Sequence, residues 1–173
     1  MKKGFVIFVL LSIVVSGLFT GCIEDTEGTL VLQITDAPSD LNITEALVTM
    51  SQVRVHYAGI GENDTIGEWI TVVNETQTYD LIALQDVKEL FGTVNLSTGW
   101  YTQIRLHVDS ALVTIDGVQY DLEIPSKTVK LIKPFRIEDG QTTILTLDFD
   151  VHKSVHVTGS DKYIFKPTIK VIQ

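Results

Sequence analysis

The sequence predicts an all-β sandwich behind an N-terminal export signal, and three observations predict it. Apolar residues recur with period two from Thr29 almost to the C-terminus. Asp116-Gly117 sits between two such runs, the pairing that most favours a tight hairpin. Phe5 to Phe19 is an uncharged apolar stretch placed ahead of the first strand-like run. A chain of 173 residues suits one domain plus a tail.

The export segment comes first. Met1-Lys2-Lys3-Gly4 is a short positive region, and the apolar run after it is shorter than the ~20 residues a membrane-spanning helix needs. Small residues Thr20 and Gly21 precede Cys22, as in a lipobox, with Phe19 where that motif usually carries Leu. The expected organisation is a lipoprotein signal peptide over 1–21, a lipidated tether over 22–28 beginning at Cys22, and one domain over 29–173. The alternative is an uncleaved anchor. Either way the domain is exported and held at the extracellular face of the membrane. Removing residues 1–21, with Lys2 and Lys3, leaves 11 basic and 22 acidic side chains. That balance argues against nucleic acid as a partner. It would also repel an anionic membrane surface, leaving the N-terminal lipid as the membrane contact. The single cysteine excludes an intrachain disulfide and a Cys-rich zinc site.

The strands follow in order. Leu30, Leu32 and Ile34 alternate with polar neighbours until Asp36-Ala37-Pro38-Ser39-Asp40 breaks the run. Asp36 and Asp40 read there as turn hydrogen-bonders rather than calcium ligands. A second strand covers about Ala46 to Tyr57, and its inward parity switches near Ser51-Gln52, which predicts a β-bulge. Trp69–Val73 and Tyr79–Leu84 read as strands. Asp86 to Glu89 has the form of a capping box, with Gly92 as a stop, and predicts the one short helix. Trp100, Thr102, Ile104, Leu106 and Val108 form one face of the next strand, with Trp100 expected in the core; Trp69 is expected to be core as well. Folding at Asp116-Gly117 sets Ile115 opposite Val118, Val113 opposite Tyr120 and Ala111 opposite Leu122. Strands near Thr128–Ile132, Thr143–Val151, Val155–Thr158 and Tyr163–Ile172 complete about nine, with Pro134 and Pro167 at edges or bulges.

All four asparagines of the chain, Asn42, Asn63, Asn74 and Asn95, are followed two places later by Thr or Ser. With 29 Ser and Thr among 173 residues, four such matches arise by chance about once in a thousand. They are candidate N-glycosylation sites on an exterior surface, that of an archaeal or bacterial envelope; polar loop composition is the competing explanation.

Residues that carry chemistry are sparse. Asp148, Asp150 and His152 alternate along one predicted strand face with His156 just beyond, the donor types that hard and borderline cations take. Residues two apart on a strand lie ~6–7 Å apart, too far to share one ion without a bend, so these are weak metal candidates and no cofactor is expected. Arg105, His107 and Asp109 share a polar face, but no nucleophile elbow, zinc-protease helix or phosphate-cradling loop accompanies them. Lys127, Lys130, Lys133 and Arg136 step by three and read as solvated charges.

The segments TLVLQITDAPSD, YDLIALQD, GTVNLSTGWYTQIRLHVDSA, VTIDGVQYDLEIPS and LTLDFDVHKSVHVTGSDKYIFKPTIKVI together resemble domain-of-unknown-function family 4382, over Gly28 to Gln173. The resemblance implies a prokaryotic, often lipid-anchored, extracellular β-domain, and it carries over no catalytic residue. Gly99-Trp100-Tyr101 is also similar to the Gly-x-Tyr strand entry of immunoglobulin-like and transthyretin-like sandwiches, a likeness of fold alone. The expectation is a non-catalytic, lipid-anchored surface module that binds an unknown protein or glycan or serves the cell envelope structurally. A carbohydrate- or solute-binding lipoprotein and a metal-dependent surface enzyme are the alternatives.

Overall fold

A computed structural model describes residues 26–37, 42–61, 67–159 and 162–173. Cys22, the signal segment, Asp40 and Asn63 lie outside the described residues. Twelve strands are present among them: β1 (Glu27–Asp36), β2 (Ile43–Gly59), β3 (Glu68–Val73), β4 (Gln77–Asp80), β5 (Glu89–Ser97), β6 (Gly99–Ile115), β7 (Val118–Glu123), β8 (Thr128–Ile137), β9 (Thr142–Phe149), β10 (Val155–Thr158), β11 (Lys162–Phe165) and β12 (Ile169–Ile172). They form an all-β sandwich of two sheets. The smaller runs β12-β9-β1-β5, and the larger runs β10-β11-β7-β6-β2-β3, with β4 also on β2 and β8 also on β6. No helix among the described residues is long and apolar enough to cross a membrane.

The period-two pattern places the core between the sheets. Leu30, Leu32 and Ile34 of β1 and Leu145, Leu147 and Phe149 of β9 point inward from the smaller sheet. Val48, Met50, Val53 and Val55 of β2 meet them from the larger, with Ile104, Leu106 and Val108 of β6. The predicted bulge in β2 is present: its register against β6 shifts between Met50 and Gln52. The hairpin has the expected register, Ile115 opposite Val118 and Val113 opposite Tyr120. Asp116 and Gly117 both take positive φ, 51° and 79°, as a tight turn matched to strand twist requires.

Several expectations are corrected. The expected helix after Asp86 is instead the start of β5. Phe91 and Leu96 bury their side chains in the core while the backbone of β5 pairs with β1, and a four-residue capping pattern does not outweigh that ladder. Gly92 stops no helix; a Cβ there would lie 2.6 Å from Val73 Cγ2, so glycine admits the close approach of β3. Tyr79–Leu84 is divided between β4 and a 3-10 turn at Ile82–Leu84. The last predicted strand is two strands in different sheets, and Pro167 lies in the crossing between them. Pro134 does sit at a bulge: Lys133 and Pro134 of β8 face Thr102 alone on β6. β6 carries a bulge of its own there: His56 faces Gln103 and the next residue, Tyr57, faces Tyr101, so Thr102 is the extra residue and reverses the parity of β6. Tyr101 therefore turns inward and is fully buried, stacked on Phe135 at 5.2 Å, while Trp100 turns outward and is 40% exposed.

Candidate functional site

The outer face of β3, β2, β6 and β8 gathers the polar side chains that the core-facing alternation leaves over. Cross-strand register sets them in rows. His56 is the partner of Trp69 on one side and of Gln103 on the other, and Gln103 faces Ile132. One step along, Arg54 faces Arg105 and Arg105 faces Lys130. A step further, Gln52 faces His107.

Trp69, expected in the core, is instead half-buried on this face. The Arg105 guanidinium lies 4.0 Å from its ring centroid and that of Arg54 5.6 Å away, both within cation–π range. The His56 ring packs against it at 4.9 Å and is held by a 2.9 Å hydrogen bond between Nδ1 and Thr102 Oγ1. Arg105 Nε donates to Gln103 Oε1 at 3.0 Å. Arg54 Nε is buried and has no hydrogen-bond partner. Among the described residues, neither arginine nor Lys130 has a carboxylate within ion-pair distance. Beside the row, Ser51, Gln52, Asn74, Thr76 and His107 line a hollow of about 380 Å³. This face presents oriented cations, amides and the Trp69 ring, with Trp100 further along β6, the parts of a recognition surface.

Other predicted residues are dispersed. β9 ends at Phe149, so Asp150 and His152 do not continue the face that carries Asp148. Asp150 instead caps the one-turn helix Val151–Ser154, accepting from the Lys153 backbone N–H at 2.9 Å and from Lys153 Nζ at 2.6 Å. His152 and His156 are exposed. Among the described residues no three His, Cys, Asp or Glu side chains are grouped to hold a metal ion. His107 Nε2 is 3.7 Å from Asp109 Oδ1 on the face next to Gln52. Asn42 and Asn74 are exposed at the start of β2 and in the β3–β4 connection, whereas Asn95 lies within β5 and accepts from Thr29 Oγ1 at 3.1 Å. Lys127, Lys130 and Arg136 are exposed and Lys133 is half-buried; Arg136 approaches the Trp100 ring at 5.9 Å.

Asp36, expected as a turn hydrogen-bonder, is instead the last residue of β1 and only 2% exposed. It lines a cavity of about 290 Å³ with Asp86, Lys88 and Asp148. Burial pushes its carboxyl up to about 7; the Val151 N–H and the Gln85 side chain oppose this, and the Asp150 and Asp148 charges add to it. Oδ2 has no well-formed hydrogen bond. The cation row was missed because it exists only through pairing: Arg54, Arg105 and Lys130 are far apart in sequence and nothing local links them.

No curated protein and no solved structure matches the chain. The family model for a domain of unknown function, DUF4382, matches residues 27–167, from β1 through the crossing before β12. The chain therefore belongs to the DUF4382 family.

Proposed function

We propose that this protein is a non-catalytic binding module, held at the extracellular face of the cell membrane by a lipid on Cys22, and that it takes its ligand on the Trp69 face of the larger sheet. The observation that carries the reading is the row Arg54, Arg105, Lys130 around Trp69. It sets three cations side by side with no carboxylate within ion-pair distance among the described residues. Like charges directly opposite across strands destabilise a sheet, so a site of this kind fits a protein that keeps it for a ligand. The lipobox-like run before Cys22 supports an anchored exterior protein.

Two measurements test the two halves. Labelled lipid should enter the wild-type chain and not Cys22→Ser; equal labelling of both removes the anchor. In a Trp100→Phe chain, Trp69 is the one remaining tryptophan. Its emission should change on titration with solubilised envelope polymers, and that change should be lost with Arg105→Gln. An emission unaffected by every fraction removes the binding face.

A further inference from the structure

Resting on that binding-face reading, we propose that the ligand is an acidic glycan, a sugar polymer bearing carboxylate or sulfate groups. Arg54, Arg105 and Lys130 are successive cross-strand partners, so their backbones step across the sheet at about 5 Å. A ladder of that kind matches a polymer that presents anions in succession better than it matches one small ion. Stacking on Trp69 fixes the plane of the Arg105 guanidinium, and Gln103 occupies its Nε. The two terminal nitrogens remain, in the fork geometry that grips an oxyanion through paired hydrogen bonds. Arg54, whose guanidinium lies 5.6 Å from the centroid of the same ring, adds a second cation beside Arg105.

The surroundings of the row favour sugar over a bare anion. Gln52, His56, Gln103 and His107 offer donors and acceptors at the spacing of neighbouring strands, suited to hydroxyls. The hollow of about 380 Å³ beside Gln52 and His107 opens next to the cations. Ile132, 81% exposed at the end of the Trp69 row, adds an apolar step for a sugar's C–H face.

The test uses the full chain in zwitterionic detergent, with calorimetric titration of polygalacturonate, heparin, neutral dextran and single-stranded DNA. Polygalacturonate or heparin should bind, with affinity falling as salt rises; binding of polygalacturonate shows that carboxylate suffices, and binding of heparin alone, which carries both groups, shows that sulfate is required. Arg105→Gln should weaken binding about tenfold or more, and Arg105→Lys should restore only part of the loss. Lys130→Gln, an exposed change that spares the fold, should weaken it less, and Lys170→Gln on the other sheet should not alter it. DNA binding as tight as the acidic glycans would overturn the glycan assignment in favour of bare charge. Dextran binding that needs Trp69 and not the arginines would overturn the acidic class while leaving the binding face standing. No binding by any probe at low salt, with the thermal melt unchanged, would overturn the inference; the envelope-fraction titration then decides the binding face separately.

Discussion

The carboxylate of Asp36 accepts the backbone N–H of Val151 at 3.1 Å, joining the end of β1 to the one-turn helix 115 residues further on. β1 and β9 run parallel here, with Asp36 beside Phe149, so this bond holds the chain where it leaves β9. The position is buried, and that sets up a pH dependence.

The folded Asp36 carboxyl titrates at about 7, raised from 3.8 by burial first and by Asp150 and Asp148 after the opposing Val151 and Gln85 contacts. The folded state therefore holds this proton more tightly than the unfolded chain. Its stabilisation is fully present below pH 3.8 and is lost as pH rises through about 7. One proton sets a ceiling of ~1.4 kcal/mol per pH unit within that window, and water at the cavity rim lowers it. The melting temperature should fall from pH 5 to pH 8 more steeply in wild type than in Asp36→Asn. Parallel pH curves for the two proteins would show that Asp36 is not the group responsible.

The Tyr101 hydroxyl donates to the Ser97 carbonyl at 2.9 Å, four residues back across the turn into β6. The ring is fully buried between Tyr57 and Phe135, so the hydroxyl is the only part that Tyr101→Phe removes. The loss should be about 1 kcal/mol, with the orphaned carbonyl setting the upper end. Tyr57→Phe removes a longer bond, 3.2 Å to Thr98 O on a half-buried residue, and should cost less. Urea unfolding of both variants checks the order, and a larger loss in Tyr57→Phe contradicts it.

What could be read in the sequence follows from how locally each feature is encoded. The hairpin at Asp116-Gly117 and the β2 bulge were legible because turn chemistry and side-chain parity are written in neighbouring residues. The outward turn of Trp100 was not, because it depends on the bulge at Thr102, which only pairing with His56 and Tyr57 of the distant strand β2 reveals. β5 was hidden by a capping pattern that its ladder with β1 overrides. Asp36 looked like a turn residue because Pro38 and Ser39 follow it, and only the parallel partner β9 reveals its burial. The Arg54–Arg105–Lys130 row lies at the far end of this scale, since three strands must pair in register before it exists.

Two glycines separate steric need from conformational need. At Gly28 a Cβ would collide with the Glu138 carbonyl oxygen and lie 2.8 Å from Ile137 Cγ2. The obstacle is backbone, which cannot swing aside, so Gly28→Ala should cost about 1–3 kcal/mol or more. At Gly117 nothing lies within 4 Å, but φ is +79°. Gly117→Ala should cost only the ~1 kcal/mol of placing a Cβ in the left-handed region. Chemical denaturation ranks them; a Gly117→Ala loss equal to or above that of Gly28→Ala refutes the steric account.

Asp150 separates a capping role from a metal-binding one. Partial burial tends to raise its carboxyl, but hydrogen bonds from the Lys153 side chain and N–H, together with the charges of Lys153 and His152, hold it below the usual range. The Lys153 N–H bond at 2.9 Å is an N-cap interaction. Asn caps a helix about as well as Asp, so Asp150→Asn should change stability by only a few tenths of a kcal/mol, whereas Asp150→Ala should cost about 1 kcal/mol. Asp148→Asn removes a charge that disfavours the ionised form of Asp36 and should raise stability slightly near pH 8. None of these effects involves a metal ion. Thermal melts in EDTA and in millimolar calcium should therefore coincide for wild type and for each variant. A calcium-dependent rise of several degrees in wild type, lost in Asp150→Asn, would instead make Asp150 a ligand, because only binding to the folded state shifts the melt in that way.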